Sequence, residues 1–115
     1  MPHEITCSQF FDGDVLHGAR RIVVADDGFV VAVEEHSGAT EYQIVCPGFV
    51  DVQMNGFDDV HVASASLEEL IQLDQMLLSR GTTSWLGTIV TAPLEKMTTS
   101  LSSLHDSYVS GHIPG

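Results

Sequence analysis

The sequence predicts a mixed α/β chain in which a small antiparallel β-sheet, residues 1–47, precedes a strand–helix–strand–helix segment, residues 48–115. Two observations lead to this prediction. Short β-branched runs separated by Asp- and Gly-containing turns fill the first part. After Pro47-Gly48, strand-like stretches alternate with stretches of helical apolar spacing. Such alternation implies a parallel strand pair with a right-handed crossover, the repeating unit of a barrel or of an open sheet.

The first part contains one strong hairpin signal. Asp26-Asp27-Gly28 separates two β-branched runs, Arg21–Ala25 and Phe29–Val33, and glycine supplies the positive φ that such a turn requires. A second turn, Asp12-Gly13-Asp14, is expected to follow the first strand. The remaining strands of the predicted antiparallel sheet are Ile5–Phe11, Val15–Leu16 and Tyr42–Cys46.

The second part begins with a predicted strand, Phe49–Met54, followed by a helix. Ser66 and Glu69 have the spacing of a capping box, and Gly81 is suited to the position after the helix end. The apolar face of this helix is expected to comprise Leu67, Leu70, Ile71, Leu73, Leu77 and Leu78.

A second strand and a second helix complete the segment. The strand is predicted over Thr83–Thr91, which is rich in β-branched and aromatic residues, and Pro93 suits the first turn of the helix that follows. We expect Gly111 to end that helix and residues 112–115 to form a loop. The predicted apolar stripe of the helix comprises Leu94, Met97, Leu101, Leu104 and Tyr108.

Composition narrows the classes of function. The chain has 115 residues, a formal net charge of -12 and only four basic residues, which excludes the basic face that nucleic acids and anionic membranes require. Cys7 and Cys46 form no Cys-x-x-Cys pair, so a structural zinc site of the usual spacing is not expected. No apolar run approaches the roughly 20 residues that span a bilayer, and the N-terminus lacks signal-peptide features. We therefore expect a cytoplasmic protein.

The strand at residues 49–54 carries an unusual polar pattern. Because side chains alternate between the two faces of a strand, its apolar face should comprise Val50, Val52 and Met54, and its other face Asp51, Gln53 and Asn55. Ligand sites in parallel α/β folds lie at the carboxyl ends of strands, which makes the polar face a candidate site. The alternative is structural: Asp51 fixes a neighbouring loop, and Asn55-Gly56 is turn chemistry.

Two segments together carry a resemblance to a known family. PGFVDVQMNG, residues 47–56, and GTTSWLGTIVT, residues 81–91, resemble the N-terminal part of N-acetylglucosamine-6-phosphate deacetylases of the amidohydrolase superfamily. Many relatives in that superfamily have a His-x-His metal pair where this sequence has Gln53-Met54-Asn55. Two departures are Gly87-Thr88, where Pro-Thr is usual, and Phe57-Asp58-Asp59, where glycines usually follow Asn-Gly.

The resemblance implies a fold and an activity. The small sheet would belong to a β-sandwich domain, and residues 48–115 would form the first two β-α units of an incomplete TIM-type (β/α)8 barrel. The intact family uses a divalent metal, zinc or iron, to hydrolyse N-acetylglucosamine 6-phosphate to glucosamine 6-phosphate and acetate. Gln53 and Asn55 would be neighbours of the metal site, supported by Asp51 and Gly56. Amides bind transition metals poorly, so neither is expected to be a ligand.

The family's metal ligands and catalytic residues come later in its sequence than this stretch. We therefore expect the 115 residues to be an N-terminal portion that is inactive and binds no metal alone. We also expect it to expose Val50, Val52, Leu70 and Trp85 and to associate through unpaired edges or as a homo-oligomer. The six histidines are interpreted as surface, loop or small-sheet residues rather than ligands: His3, His17, His36, His61, His105 and His112.

Two other functions stay open. The chain could be a non-catalytic binding or assembly module that keeps the amidohydrolase beginning without its chemistry. It could also belong to an amidohydrolase that acts on a different substrate, since no residue that contacts sugar or phosphate is identified.

Overall fold

The computed structural model describes residues 1–111, so the loop predicted over residues 112–115 lies outside the described residues. The chain divides into two units, Met1–Pro47 and Gly48–Gly115. The division falls where the sequence pattern changes at Pro47-Gly48. Within residues 1–111, neither helix is long and apolar enough to cross a bilayer.

The first unit is a five-stranded sheet that consists of β1 (His3–Phe11), β2 (Leu16–His17), β3 (Arg20–Val24), β4 (Val30–Glu35) and β5 (Tyr42–Val45). It is built around β1, its longest strand. Strands β2 and β3 pair with β1 in antiparallel orientation, and β4 pairs with β3 in the same way. Gly28, at φ 85°, forms the predicted turn of the β3–β4 hairpin.

One strand of this unit departs from the predicted antiparallel sheet. β5 pairs in parallel with β1, from Cys7 opposite Tyr42 to Phe10 opposite Val45. Because β3 is antiparallel to β1 and β4 is antiparallel to β3, β4 runs in the same direction as β1. β5 runs in this direction too and pairs with the other edge of β1. Thr6 of β1 fixes the segment that leads into β5, because its hydroxyl accepts a hydrogen bond from the Glu41 N–H at 3.1 Å.

The core of the first unit is small. Its buried apolar residues are Cys7, Ile22 and Val24. Large apolar side chains in β2, β4 and β5, or directly before β2 and β4, are exposed: Val15, Leu16, Phe29, Val30, Val31, Val33, Tyr42 and Ile44. An antiparallel sheet of this size usually buries one face against a second layer, and the described part of this unit contains no such layer.

Asp12 organises the turn between β1 and β2. Its Oδ1 accepts hydrogen bonds from the N–H groups of Asp14 and Val15, both at 2.8 Å, and its Oδ2 lies 2.7 Å from Nε2 of His17. The hydrogen bond with His17, followed by those from the two backbone N–H groups, holds the pKa of Asp12 well below its ordinary value. The turn therefore depends on an ionised carboxylate.

We predict that this turn loosens in acid. A carboxylate whose pKa is depressed in the folded state stabilises that state above its unfolded pKa, near pH 4, and loses the contribution as the pH falls below it. Hydrogen exchange of the Asp14 and Val15 amides, corrected for intrinsic rates, should accelerate below about pH 4. Asp12→Ala should show fast exchange already at neutral pH, whereas Asp14→Ala should leave the Val15 amide protected. Equal protection of the Val15 amide at pH 3 and pH 6 would contradict the prediction.

The second unit has the predicted order of strand, helix, strand and helix, with one unpredicted hairpin. β6 and β9 pair in parallel, and β7 and β8 form a separate two-stranded hairpin. β9 ends at Gly87, four residues earlier than the strand predicted over Thr83–Thr91. The elements are β6 (Phe49–Met54), β7 (Gly56–Phe57), β8 (Val60–His61), α1 (Leu67–Ser79), β9 (Thr82–Gly87) and α2 (Leu94–Val109).

α1 begins and ends at the residues that the sequence predicts. The N–H of Glu69 donates to Oγ of Ser66 at 3.2 Å, and the N–H of Ser66 donates to Oε2 of Glu69 at 2.8 Å, which confirms the capping box. Gly81 follows the helix with φ 92°, as expected for a residue after a helix end. Leu78 is 58% exposed, so the prediction that it belongs to the apolar face of α1 is wrong.

Packing of the two helices against β6 and β9 corrects two other expectations. Leu70 and Trp85 are buried at 1% and 5% exposure, so the prediction that they are exposed is wrong; Val50 and Val52 are exposed as predicted. Leu70 lies on the face of α1 that packs into the core, and the indole N–H of Trp85 donates to Oδ1 of Asp74 on α1 at 2.8 Å. The core comprises Met54, Val60, Val62, Ala65, Leu70, Leu73, Leu77 and Trp85.

The apolar stripe predicted for α2 is only partly covered. Met97 and Leu104 are half-buried, but the residues spaced seven apart along the same stripe are exposed: Leu94, Leu101 and Tyr108. Ser100 and Ser107 are buried in their place. A sheet of two strands is narrow, and the helix turns its small side chains toward it, which leaves the edge of the stripe in solvent.

Candidate functional site at the end of strand β6

Asp51 disturbs the regular alternation of β6. Its Oδ1 accepts a hydrogen bond from the backbone N–H of Gln53 at 2.9 Å, and the side chain is half-buried. The pairing of β6 with β9 is irregular between Asp51 and Met54. A short side chain that bonds the N–H two residues ahead competes with the strand ladder, which accounts for the irregularity. Asp51 thus has a local structural role within β6 itself, whereas the alternative predicted for it was to fix a neighbouring loop.

The irregularity separates residues that were expected to share a face. Met54 is 7% exposed and lies in the core, whereas Val50 is 66% and Val52 is 71% exposed. The predicted grouping of these three residues on one apolar face is therefore wrong. Helices cover the Met54 side of the β6–β9 sheet, and the side that carries Val50, Val52 and Leu86 is uncovered.

The two amides of the candidate site, Gln53 and Asn55, are both exposed. Neither side chain makes a hydrogen bond to any residue in the described part of the chain, 1–111. Their backbone is well anchored, because the Thr88 N–H donates to the Met54 carbonyl at 2.8 Å and the Val62 N–H donates to the Asn55 carbonyl at 3.1 Å. The site therefore presents two free amide groups from a fixed backbone at the carboxyl end of a parallel strand.

Position 56 has no space for a side chain, so it requires glycine. A Cβ at this position would lie 2.6 Å from the carbonyl oxygen of Val60, closer than real Cβ contacts come. This close approach joins β7 to β8, and Asp58 in the turn between them has φ 55°. This hairpin was not predicted; the signal for it in the sequence is weak, namely Asp58, a residue type that tolerates positive φ, between Phe57 and Val60.

The residues of the hairpin contact the far end of α1. The guanidinium carbon of Arg80 lies 5.8 Å from the centre of the Phe57 ring, a cation–π distance. These two residues line a cavity of about 420 Å³ together with Asp58, Met76 and Ser79. The cavity does not include Gln53 or Asn55, so it is separate from the candidate site.

Within residues 1–111, the histidines take part in no cluster of three or more metal-ligating side chains. His61 is in β8 rather than in the loop predicted for it, and His105 lies exposed on α2. His17 bonds Asp12, and His36 bonds the Ala39 carbonyl at 3.1 Å. His112 lies outside the described residues.

A metal site requires several ligating side chains at one place. Among residues 1–111, no three His, Cys, Asp or Glu side chains come together in a way that could hold a metal ion. The exposed groups at the end of β6 are amides, which bind transition metals weakly compared with imidazole. The described residues therefore do not fit a divalent metal by themselves.

Comparison with known proteins gives a clear result at the level of structure only. No protein-family model matches the chain, and no curated protein matches it by sequence. Two solved structures of N-acetyl-D-glucosamine-6-phosphate deacetylase from Mycobacterium smegmatis do match. The first has a TM-score of 0.82 and 24% identity, covering 97% of this chain and 33% of that one. The second is a mutant of that enzyme in complex with N-acetyl-D-glucosamine-6-phosphate, with a TM-score of 0.81, 23% identity, and coverage of 97% and 31%.

The match spans nearly all of this chain and about one third of each deacetylase. At this level of identity it establishes the fold. The mixed α/β fold of this chain, with its curled sheet followed by the β6–α1–β9–α2 segment, is thus the fold of the N-terminal region of N-acetyl-D-glucosamine-6-phosphate deacetylase structures.

Proposed function

We propose that this chain is the N-terminal portion of a metal-dependent amidohydrolase that removes the acetyl group from N-acetylglucosamine 6-phosphate. The observation that carries the proposal is the structural match over 97% of the chain. The match agrees with the resemblance of residues 47–56 and 81–91 to the same enzymes. Glucosamine 6-phosphate and acetate would be the products.

The uncovered surfaces support the view that this chain is part of a larger fold. In a parallel (β/α)8 barrel, helices cover the outer side of each strand and the inner side is buried by the other strands. The β6–β9 sheet has helices on one side only, and Val50, Val52 and Leu86 are more than 60% exposed on the other. Six further β-α units would bury this side. The proposal therefore includes a TIM-type barrel whose first two units are residues 48–115.

Gln53 and Asn55 would lie at the rim of the metal site of the intact enzyme. The proposed metal is zinc or iron, and it would polarise the acetamide carbonyl and activate water. Residues 1–111 contain no cluster of side chains that could hold it by themselves. The side-chain amides of Gln53 and Asn55 can each donate and accept hydrogen bonds, which suits them to orient a substrate or a water molecule. Location in the cytoplasm and association through edges or as a homo-oligomer also stay predictions.

The experiment that tests the function uses the protein isolated from its own cells. Its intact mass is measured, and it is assayed for acetate release from N-acetylglucosamine 6-phosphate. We expect a mass several times 12.4 kDa and release of acetate. Gln53→Leu in that protein should lower kcat/KM by about tenfold or more, the usual scale for loss of one well-placed hydrogen bond in the transition state.

A matched control is Gln72→Leu, which makes the same change at an exposed position on α1 and should leave kcat/KM unaltered. A protein of 12.4 kDa without deacetylase activity would overturn the proposal in favour of a non-catalytic module. Activity that Gln53→Leu and Gln72→Leu affect equally would retain the deacetylase and remove Gln53 from its site.

A further inference from the structure

The carboxyl end of β9 lies beside the carboxyl end of β6. Met54 is paired with Gly87 at the last position of the parallel β6–β9 ladder, and the Thr88 N–H, one residue further on, donates to the Met54 carbonyl at 2.8 Å. Parallel strands end at the same edge of a sheet, which is the edge where ligand sites lie in α/β folds. Thr88 is therefore at the same edge as Asn55, the residue after Met54.

The packing of Met54 and Gly87 shows on which side of the sheet their neighbours lie. Met54 belongs to the core on the side of the helices, and a Cβ on Gly87 would lie 2.8 Å from a leucine side chain of α2. Successive residues of a strand alternate between its two sides, so Asn55 and Thr88 belong to the other side. Leu86, the residue before Gly87, is 64% exposed on that side. Asn55 and Thr88 are thus neighbours at adjacent strand ends, on the side without helices.

The Thr88 hydroxyl is suited to accept a hydrogen bond. The side chain is half-buried, and its Oγ1 donates its single hydrogen to the Leu86 carbonyl at 3.2 Å. With that hydrogen in use, the oxygen can only accept through its lone pairs, whereas the amides of Gln53 and Asn55 can both donate and accept. The edge therefore combines two groups that can donate with one that accepts.

We propose that Thr88 is a substrate-binding residue of the deacetylase site, in which its Oγ1 accepts a hydrogen bond from the acetamide N–H of N-acetylglucosamine 6-phosphate. The inference rests on the proposed function, in which Gln53 and Asn55 border the place that receives the acetamide. An amide N–H can only donate, so it needs an acceptor, and Thr88 supplies one next to Asn55. A sugar hydroxyl makes no such demand, because it both donates and accepts. Thr88 would thus select substrates with an N–H on the second carbon of the sugar.

Steady-state kinetics of acetate release by the protein isolated from its own cells, and by its variants, tests the proposal. Thr88→Val keeps the shape of the side chain and removes the hydroxyl. It should raise KM about threefold to tenfold with kcat nearly unchanged, the scale of one neutral hydrogen bond made in both the ground state and the transition state. Thr88→Ser keeps the hydroxyl and should leave KM within about twofold of the wild-type value. Thr82→Val is a matched control at the other end of β9, where the side chain is also half-buried, and should leave KM unaltered.

Inhibition by 2-deoxyglucose 6-phosphate separates a contact with the N–H from a general disturbance of the site, because this sugar has no nitrogen on its second carbon. Its inhibition constant should be the same for the wild type and Thr88→Val. A rise of that constant in parallel with KM would overturn the proposal. So would an unchanged KM, a loss confined to kcat, or equal losses in Thr88→Val and Thr88→Ser.

The failure of this inference is distinct from the failure of the proposed function. A wild-type protein that releases no acetate refutes the deacetylase and the role of Thr88 with it. A wild-type protein that releases acetate, with a KM that Thr88→Val leaves unaltered, retains the deacetylase and refutes only the contact with Thr88.

Discussion

Leu73→Ala should lower the free energy of unfolding of the second unit by about 3 kcal/mol, the middle of the range for a buried leucine replaced by alanine. Leu73 is fully buried in α1 and belongs to the core that also contains Leu70, Leu77 and Trp85. Its truncation removes apolar contacts and leaves a cavity that the close-packed neighbours fill only in part. This loss is a large share of the stability of a small unit.

Urea unfolding followed by fluorescence of Trp85 measures the effect, because Trp85 is the single tryptophan of the chain and lies in the same core. Leu78→Ala is the matched control: the same substitution in the same helix, at a side chain that is 58% exposed. It should change the free energy of unfolding by about 0.5 kcal/mol or less. Similar losses for the two variants would contradict the packing described for α1.

Gly48→Ala should destabilise the second unit by at least about 2 kcal/mol, as expected when a packed site receives an atom for which there is no space. A Cβ on Gly48 would lie 2.1 Å from Oγ1, 2.2 Å from Cγ2 and 2.6 Å from Cβ of Thr83. Rotation of the Thr83 side chain moves the first two atoms but not its Cβ. The start of β6 would therefore have to move away from β9.

A double-mutant cycle checks this explanation through the same Trp85 fluorescence. Thr83→Gly removes the three atoms nearest to the new methyl group, so Gly48→Ala should lower the free energy of unfolding much less in that background. Gly18→Ala is a matched change in the first unit, where an added Cβ meets nothing within 4 Å, and circular dichroism should show little effect on thermal unfolding. Equal costs of Gly48→Ala with and without Thr83 would show that the close approach to Thr83 is not the cause.

Signals between residues close in sequence predicted much of the second unit. The capping box at Ser66 and the glycine at position 81 mark the ends of α1, because each acts through hydrogen bonds or backbone angles within a few residues. The candidate site was predicted less completely. Gln53, Asn55 and Gly56 lie where β6 ends, but the hydrogen bond from the Gln53 N–H to Asp51 shifted the faces of the strand, and strict alternation does not anticipate such a shift.

The sequence by itself determined the order of the elements apart from the β7–β8 hairpin, the β3–β4 hairpin and the strand–helix–strand unit, since these follow from turn residues, caps and apolar spacing. Only the tertiary structure decided which apolar side chains are buried. Trp85 is buried because α1 supplies Asp74 for its indole N–H, whereas Val50 and Leu101 lack a neighbouring layer in the described part of the chain. The parallel placement of β5 is likewise a tertiary result. Both outcomes depend on contacts between residues far apart in the chain, which local patterns do not contain.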